Sequence, residues 1–134
     1  MKIVQVAEII SQGGRSGTAE ASDKSFAVDF RAGKDGGQAA TPEHLFGAAY
    51  AACFHSAVLS HAAKGHFKIV GSTVTAQVSL TENERGEYGI RVELLTALPG
   101  VSRSDGEHLI HQAHASCPYS KAVRGNIDVV VRLD

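Results

Sequence analysis

Residues Leu45 to Ala63 are apolar on nearly every side, and no other feature constrains the fold as strongly. Thr41 stands before this stretch as an N-cap, and Pro42 takes the first helical position, where its missing N–H costs nothing. Glu43 falls in the first turn, where the helix dipole favours an acid, and Gly65 offers a left-handed stop. The pattern predicts one long helix between Thr41 and Gly65. A helix that is apolar all round must be buried on several sides. A chain of 134 residues has little material with which to surround it. A second copy would supply the rest, which points to an obligate homodimer.

Around that helix the sequence reads as strands. Phe26, Val28 and Phe30 alternate with Ala27, Asp29 and Arg31; Val74, Ala76, Val78 and Leu80 with Thr73, Thr75, Gln77 and Ser79; Ile90, Val92 and Leu94 with Arg91, Glu93 and Leu95; and Ile127, Val129, Val131 and Leu133 with Asp128, Val130 and Arg132. A period of two with one polar face predicts half-solvated antiparallel strands. Glu82 to Gly86 fits a hairpin turn between the second and third of these. The first dozen residues carry a weaker strand pattern. A second helix is predicted from about Asp105 to Cys117, with Leu109, Ile110, Ala113 and Cys117 on one stripe and Pro118 as its stop. Strands, long helix, strands, helix and strand make an α+β chain, read as a single domain over 1–134.

Charge and composition narrow the function. Thirteen basic residues against 14 acidic leave no footprint for nucleic acid or an anionic membrane. The longest apolar stretch, Leu45 to Phe54, is half of the roughly 20 residues that a spanning helix needs. Polar residues interrupt the opening Met1–Gln5 at once, so no secretory leader is expected and the default compartment is the cytosol. In that compartment a pair of cysteines is more often catalytic or redox-active than a structural staple. The pair is Cys53 and Cys117.

Each cysteine has a plain reading beside a chemical one. Cys53 lies mid-helix with Phe46, Tyr50 and Ala57 on its face, and a free cysteine packs well as a small hydrophobe. Apolar surroundings raise a thiol's pKa, so a nucleophilic Cys53 would need a cation delivered from elsewhere in the fold. Cys117 fits equally as the end of an apolar stripe. The Gly13-Gly14-Arg15-Ser16-Gly17 loop permits a tight turn or a close backbone approach, and it holds no phosphate-loop lysine. His108, His111, His114 and Cys117 recur every third residue, which drifts by about 60° per step on a helix. They therefore read as a solvated polar face rather than one metal site. His55 and His61 have no convincing ligand partner on their helix.

Four stretches nevertheless stand in a telling order: Gly13 to Gly17, Thr41-Pro42-Glu43-His44-Leu45-Phe46, Ala51-Ala52-Cys53-Phe54, and Cys117-Pro118-Tyr119-Ser120 running on to Arg124-Gly125-Asn126-Ile127. Together they resemble the organic hydroperoxide resistance branch of the OsmC family over essentially the whole chain. His44 stands where that pattern usually has Gln, Lys121 stands where Asn is frequent, and the connection from Gly33 to Ala40 looks short. The resemblance implies an OsmC-like fold, with antiparallel sheets wrapped around long buried helices in an intertwined dimer. It implies thiol-dependent reduction of organic and fatty-acid hydroperoxides, with Cys53 as the peroxidatic and Cys117 as the resolving cysteine. Arg15 and Glu43 match the pair that activates the first thiol. No bound cofactor is implied; an external dithiol, such as the dihydrolipoyl group of a lipoylated protein, would close the cycle.

On that reading Phe46 and Tyr50 line an apolar surround that favours organic peroxides. Glu43 precedes Cys53 by ten residues, or about 15 Å along a helix axis. Antiparallel helices from two subunits would bring one chain's Glu43 toward the other's Cys53. A non-catalytic thiol sensor, or a dimer binding a hydrophobic ligand, is the alternative, distinguished by the absence of turnover. A cysteine hydrolase leaves the second cysteine unexplained, and a nucleic-acid binder lacks a basic patch.

Overall fold

A computed structural model describes residues 1–31 and 38–134. The Gly33–Ala40 connection therefore lies largely outside the described residues. Within the span expected as one domain, the chain forms two compact units, Met1–Leu45 and Phe46–Asp134.

The first unit is a small antiparallel sheet of β1 (Ile9–Gln12), β2 (Thr18–Ala21) and β3 (Ala27–Asp29), with β2 in the middle. Ile10 pairs with Glu20, and Ala19 with Val28. The turn between β1 and β2 is a short 3-10 helix over Gly14–Ser16. Gly13 and Gly14 both adopt positive φ there, which a side chain would resist. Gly17 answers a different demand, because a Cβ on it would lie 1.7 Å from the Gln12 carbonyl oxygen. Residues 1–8 form no regular element, and Ile3, Val4 and Val6 among them are exposed, as are Ile9 and Ile10 of β1. The strand pattern of the first dozen residues is thus realised only at its end.

The long helix α1 spans Pro42–Lys64, as its caps predict. Thr41 and His44 make a reciprocal capping box. The Thr41 Oγ1 accepts from His44 N at 3.3 Å, while His44 Nδ1 accepts from Thr41 N at 3.0 Å. A Gln or Glu ordinarily takes the returning role. His44 therefore keeps the cap where the family pattern has Gln.

The second unit packs the rest of α1 against a sheet of β4 (Thr73–Glu82), β5 (Tyr88–Ala97) and β6 (Val129–Leu133), with β5 central, and against α2 (Arg103–Ser116) and α3 (Pro118–Val123). The hairpin turn after β4 is held by Asn83, whose Oδ1 accepts from the N–H groups of Arg85 and Glu87. On the outer face, Arg132 of β6 pairs with Glu93 of β5. The core gathers Tyr50, Phe54, Val58 and Ala62 of α1, Val92 and Leu94 of β5, and Leu109, Ile110 and Ala113 of α2, with Cys117 beside them.

Two expectations are corrected. β6 pairs with β5 in parallel, not antiparallel, because α2 and α3 carry the chain back before β6 begins. Pro118 does more than stop a helix: α2 ends at Ser116, and Pro118 starts α3 after Cys117. α1 itself buries a stripe of Gly47, Tyr50, Phe54, Val58 and Ala62, while Ala48, Ala52 and Leu59 stay exposed in the single chain.

Candidate active site

The two cysteines meet inside the second unit. α1 presents Cys53 beside its buried stripe, half-buried, and the break between α2 and α3 presents Cys117, fully buried. The Cys117 thiol donates to the Cys53 sulfur across 3.5 Å. A disulfide needs about 2.05 Å between the sulfurs, so closure asks for side-chain movement on the scale of a rotamer adjustment. The local sequence creates this contact. Pro118 lacks an N–H and ends α2, which leaves Cys117 at a bend whose backbone is extended.

The environment of Cys53 disfavours its thiolate. Burial is the larger cause and the neighbouring Cys117 the next, both pushing its pKa above the ordinary range. A backbone hydrogen bond from Tyr119 opposes them. Since the thiolate is the nucleophile, a reactive Cys53 needs a positive charge beyond these groups.

Arg15 and Glu43 meet within the first unit, as the family pattern implied. The Arg15 Nη1 donates to Glu43 Oε2 at 3.0 Å and its Nη2 to Oε1 at 2.6 Å, a bidentate fork. This bond, more than any other influence, holds the Glu43 carboxyl down to about 2 from an ordinary 4.5. Glu43 is mostly covered while Arg15 remains over half exposed.

Tyr50 lies in the core cluster with Cys117, and Phe46 packs against that cluster. Their rings meet edge to face at 6.2 Å. Tyr50 is fully buried, and Tyr119, itself 41% exposed, stacks on it at 6.1 Å. The exposed aromatic surface at this place is therefore Tyr119's, which the sequence reading passed over. Ser120 has no role assigned from sequence, and the expectation that His114 belongs to a solvated polar face is corrected here. Ser120 Oγ is bonded to the Tyr50 hydroxyl at 2.8 Å and to His114 Nδ1 at 2.9 Å. Of the histidines read as one polar face, His108 and His111 are exposed, whereas His114 turns inward. His55 and His61 bond to Ser72 and Ser116 respectively. Among the described residues, no group of three or more His, Cys, Asp or Glu is placed to hold a metal ion. No described helix is long and apolar enough to cross a membrane.

The family model described as OsmC-like protein matches residues 33–132. The chain belongs to the OsmC-like family. It is similar to an organic hydroperoxide resistance protein of Xanthomonas axonopodis pv. citri, 38% identical over 98% of this chain and 96% of that one. A second relative, the organic hydroperoxide resistance protein OhrA of Bacillus subtilis, is 41% identical over 95% of this chain and 94% of its own length. The crystal structure of the Bacillus subtilis OhrB protein superposes with a TM-score of 0.88 at 35% identity, covering 98% of this chain and all of that one. The α+β architecture is thus that of solved OsmC-like proteins, and the resemblance first carried by four stretches extends along the chain.

Proposed function

We propose that this OsmC-like chain is a cysteine-based peroxidase that reduces organic and fatty-acid hydroperoxides in oxidative stress defence. The observation that carries the reading is the Cys117 thiol bonded to the Cys53 sulfur, in a chain whose relatives are named for organic hydroperoxide resistance. The Cys53 thiolate attacks the terminal peroxide oxygen; the O–O bond breaks, the alkoxide takes a proton and leaves as an alcohol. Cys53 becomes a sulfenic acid. Cys117 then displaces hydroxide from that sulfur, forming the disulfide and releasing water. A dithiol, a dihydrolipoyl group on a partner protein being the fitting class, returns both thiols by exchange. The cycle asks for no bound cofactor, and the cytosol is the compartment that supplies the reductant.

Arg15 provides the charge that Cys53 lacks, oriented by Glu43, and lowers the cost of the thiolate. The site is composite, with one subunit's Arg15–Glu43 pair serving its partner's Cys53. Support for a homodimer comes from α1, apolar yet open at Ala48, Ala52 and Leu59, and from the exposed Ile3, Val4 and Val6. The apolar surfaces of Phe46 and Tyr119, backed by the buried ring of Tyr50, favour an alkyl peroxide over hydrogen peroxide.

One equivalent of cumene hydroperoxide tests the order of events. The reduced protein should lose two hydrogens in intact mass, and Cys117→Ser should instead gain one oxygen, trapped by dimedone on Cys53. Unchanged masses in both proteins would remove the peroxidase reading.

A further inference from the structure

Cys117 poses a problem that the cysteine cycle leaves open. Its sulfur is fully buried, yet its proton must leave and return once per turnover. In the reductive half, an external thiolate attacks Cys53, the more accessible sulfur. The S–S bond breaks and Cys117 departs with the electron pair, in a place where no water solvates it. A proton has to reach it there.

A chain of hydrogen bonds leads to that place. The Tyr50 hydroxyl belongs to a side chain fully buried in the same core cluster as Cys117, on the same helix as Cys53 and about one turn before it; burial raises the phenol's pKa most, and the two cysteines add to it. The hydroxyl bonds to Ser120 Oγ at 2.8 Å, and Ser120, also fully buried, bonds to His114 Nδ1 at 2.9 Å. His114 is half-buried and reaches the outside. Arg124 anchors the outer end by donating from Nη2 to the His114 carbonyl at 2.8 Å.

We propose that Tyr50, Ser120 and His114 form a proton relay serving Cys117, with Tyr50 as the catalytic donor and Ser120 and His114 as positioning residues that act through it. The inference rests on the cysteine-pair chemistry proposed above. In reduction, the Tyr50 O–H gives its proton to the departing Cys117 sulfur, Ser120 restores the phenol, and the Nδ1–H of His114 restores Ser120. His114 reloads from solvent. The second thiol of the reductant then attacks the mixed disulfide on Cys53, which leaves as a thiolate and takes up the second proton. The two electrons come from the dithiol, which ends as a cyclic disulfide. In the oxidative half the relay runs outward, passing the Cys117 proton to solvent, while the hydroxide displaced from Cys53 takes a proton from solvent and leaves as water.

The groups facing His114 are Ser120 of α3, Tyr50 of α1 beyond it, His111 of α2 and Arg124 after α3. Burial, then the charges of Arg124 and His111, hold its pKa below the ordinary histidine range. The imidazolium that loads the relay is therefore favoured only on the acid side of neutrality.

The test uses the full chain with its disulfide closed by diamide, so that no peroxide is needed. Reduction by dithiothreitol is followed by quenched alkylation from pH 5 to 9, each rate divided by the reductant's thiolate fraction. The corrected wild-type rate should fall as pH rises through the His114 ionisation. Ser120→Ala should be slower by at least about tenfold and flat with pH. His114→Asn keeps an amide near Nδ1 without a titrating ring. The relay predicts that it too is slow and flat, whereas a purely structural role predicts wild-type rate and profile. Wild-type behaviour in both variants overturns the relay. Should either variant fail to fold, the wild-type rate in D₂O decides, because a relay slows it and an unchanged rate excludes one. Failure to turn over a peroxide, with these results intact, overturns the proposed function alone.

Discussion

Cys53 is asked to be a nucleophile in surroundings that keep its proton on. Burial and Cys117 oppose ionisation, and one backbone N–H from Tyr119 favours it. If Arg15 supplies the balance, Arg15→Ala should slow alkylation of Cys53 by iodoacetamide on the order of tenfold near neutral pH, a shift of about one pKa unit. The alkylation profile should move to higher pH, and an unmoved profile would rule Arg15 out as the thiol's cation. Glu43 makes a second prediction in acid. Its folded pKa of about 2 lies below the ordinary 4.5, so its ion pair stabilises fully above 4.5 and is lost as pH falls toward 2. Because Arg15 is over half exposed, the pair contributes at most about 1 kcal/mol. Thermal melts of wild type and Glu43→Gln should differ at pH 7 and converge at pH 2.

At the scale of elements, the Arg15 turn and the α1 cap are separate devices. Gly17→Ala would force a Cβ into the Gln12 carbonyl, so it should displace Arg15 and depress activity while leaving the second unit's core intact. Near-wild-type activity in that variant would show that the turn's shape is unimportant. His44→Gln should be nearly neutral in thermal stability, whereas Thr41→Ala should cost about 1 kcal/mol through the lost cap. α1 was legible because Thr41, Pro42 and Gly65 mark both ends and nothing between them breaks a helix. The β4–β5 hairpin was legible from alternation around a polar turn. The direction of β6 was not, since a period of two looks the same in parallel and antiparallel pairs. α3 was hidden because proline both ends one helix and opens the next. His114 looked like its exposed neighbours in sequence, and only the placement of Ser120 on α3 distinguishes it. The Arg15–Glu43 pair joins positions 28 apart, and the family pattern alone pointed to it.

For the molecule as a whole, the single chain leaves apolar surface open on α1 and along its first ten residues. Sedimentation should give a dimer at micromolar concentration, and mixing Arg15→Ala with Cys53→Ser chains should restore part of the activity through hybrid dimers that hold one intact composite site. A monomer with full activity would contradict the composite site. The central claim is tested most directly by turnover of cumene hydroperoxide with dihydrolipoamide as reductant, wild type beside Cys53→Ser, repeated with hydrogen peroxide. The account predicts sustained turnover, faster with the organic peroxide and abolished by Cys53→Ser. No turnover, or equal turnover in the variant, would contradict it.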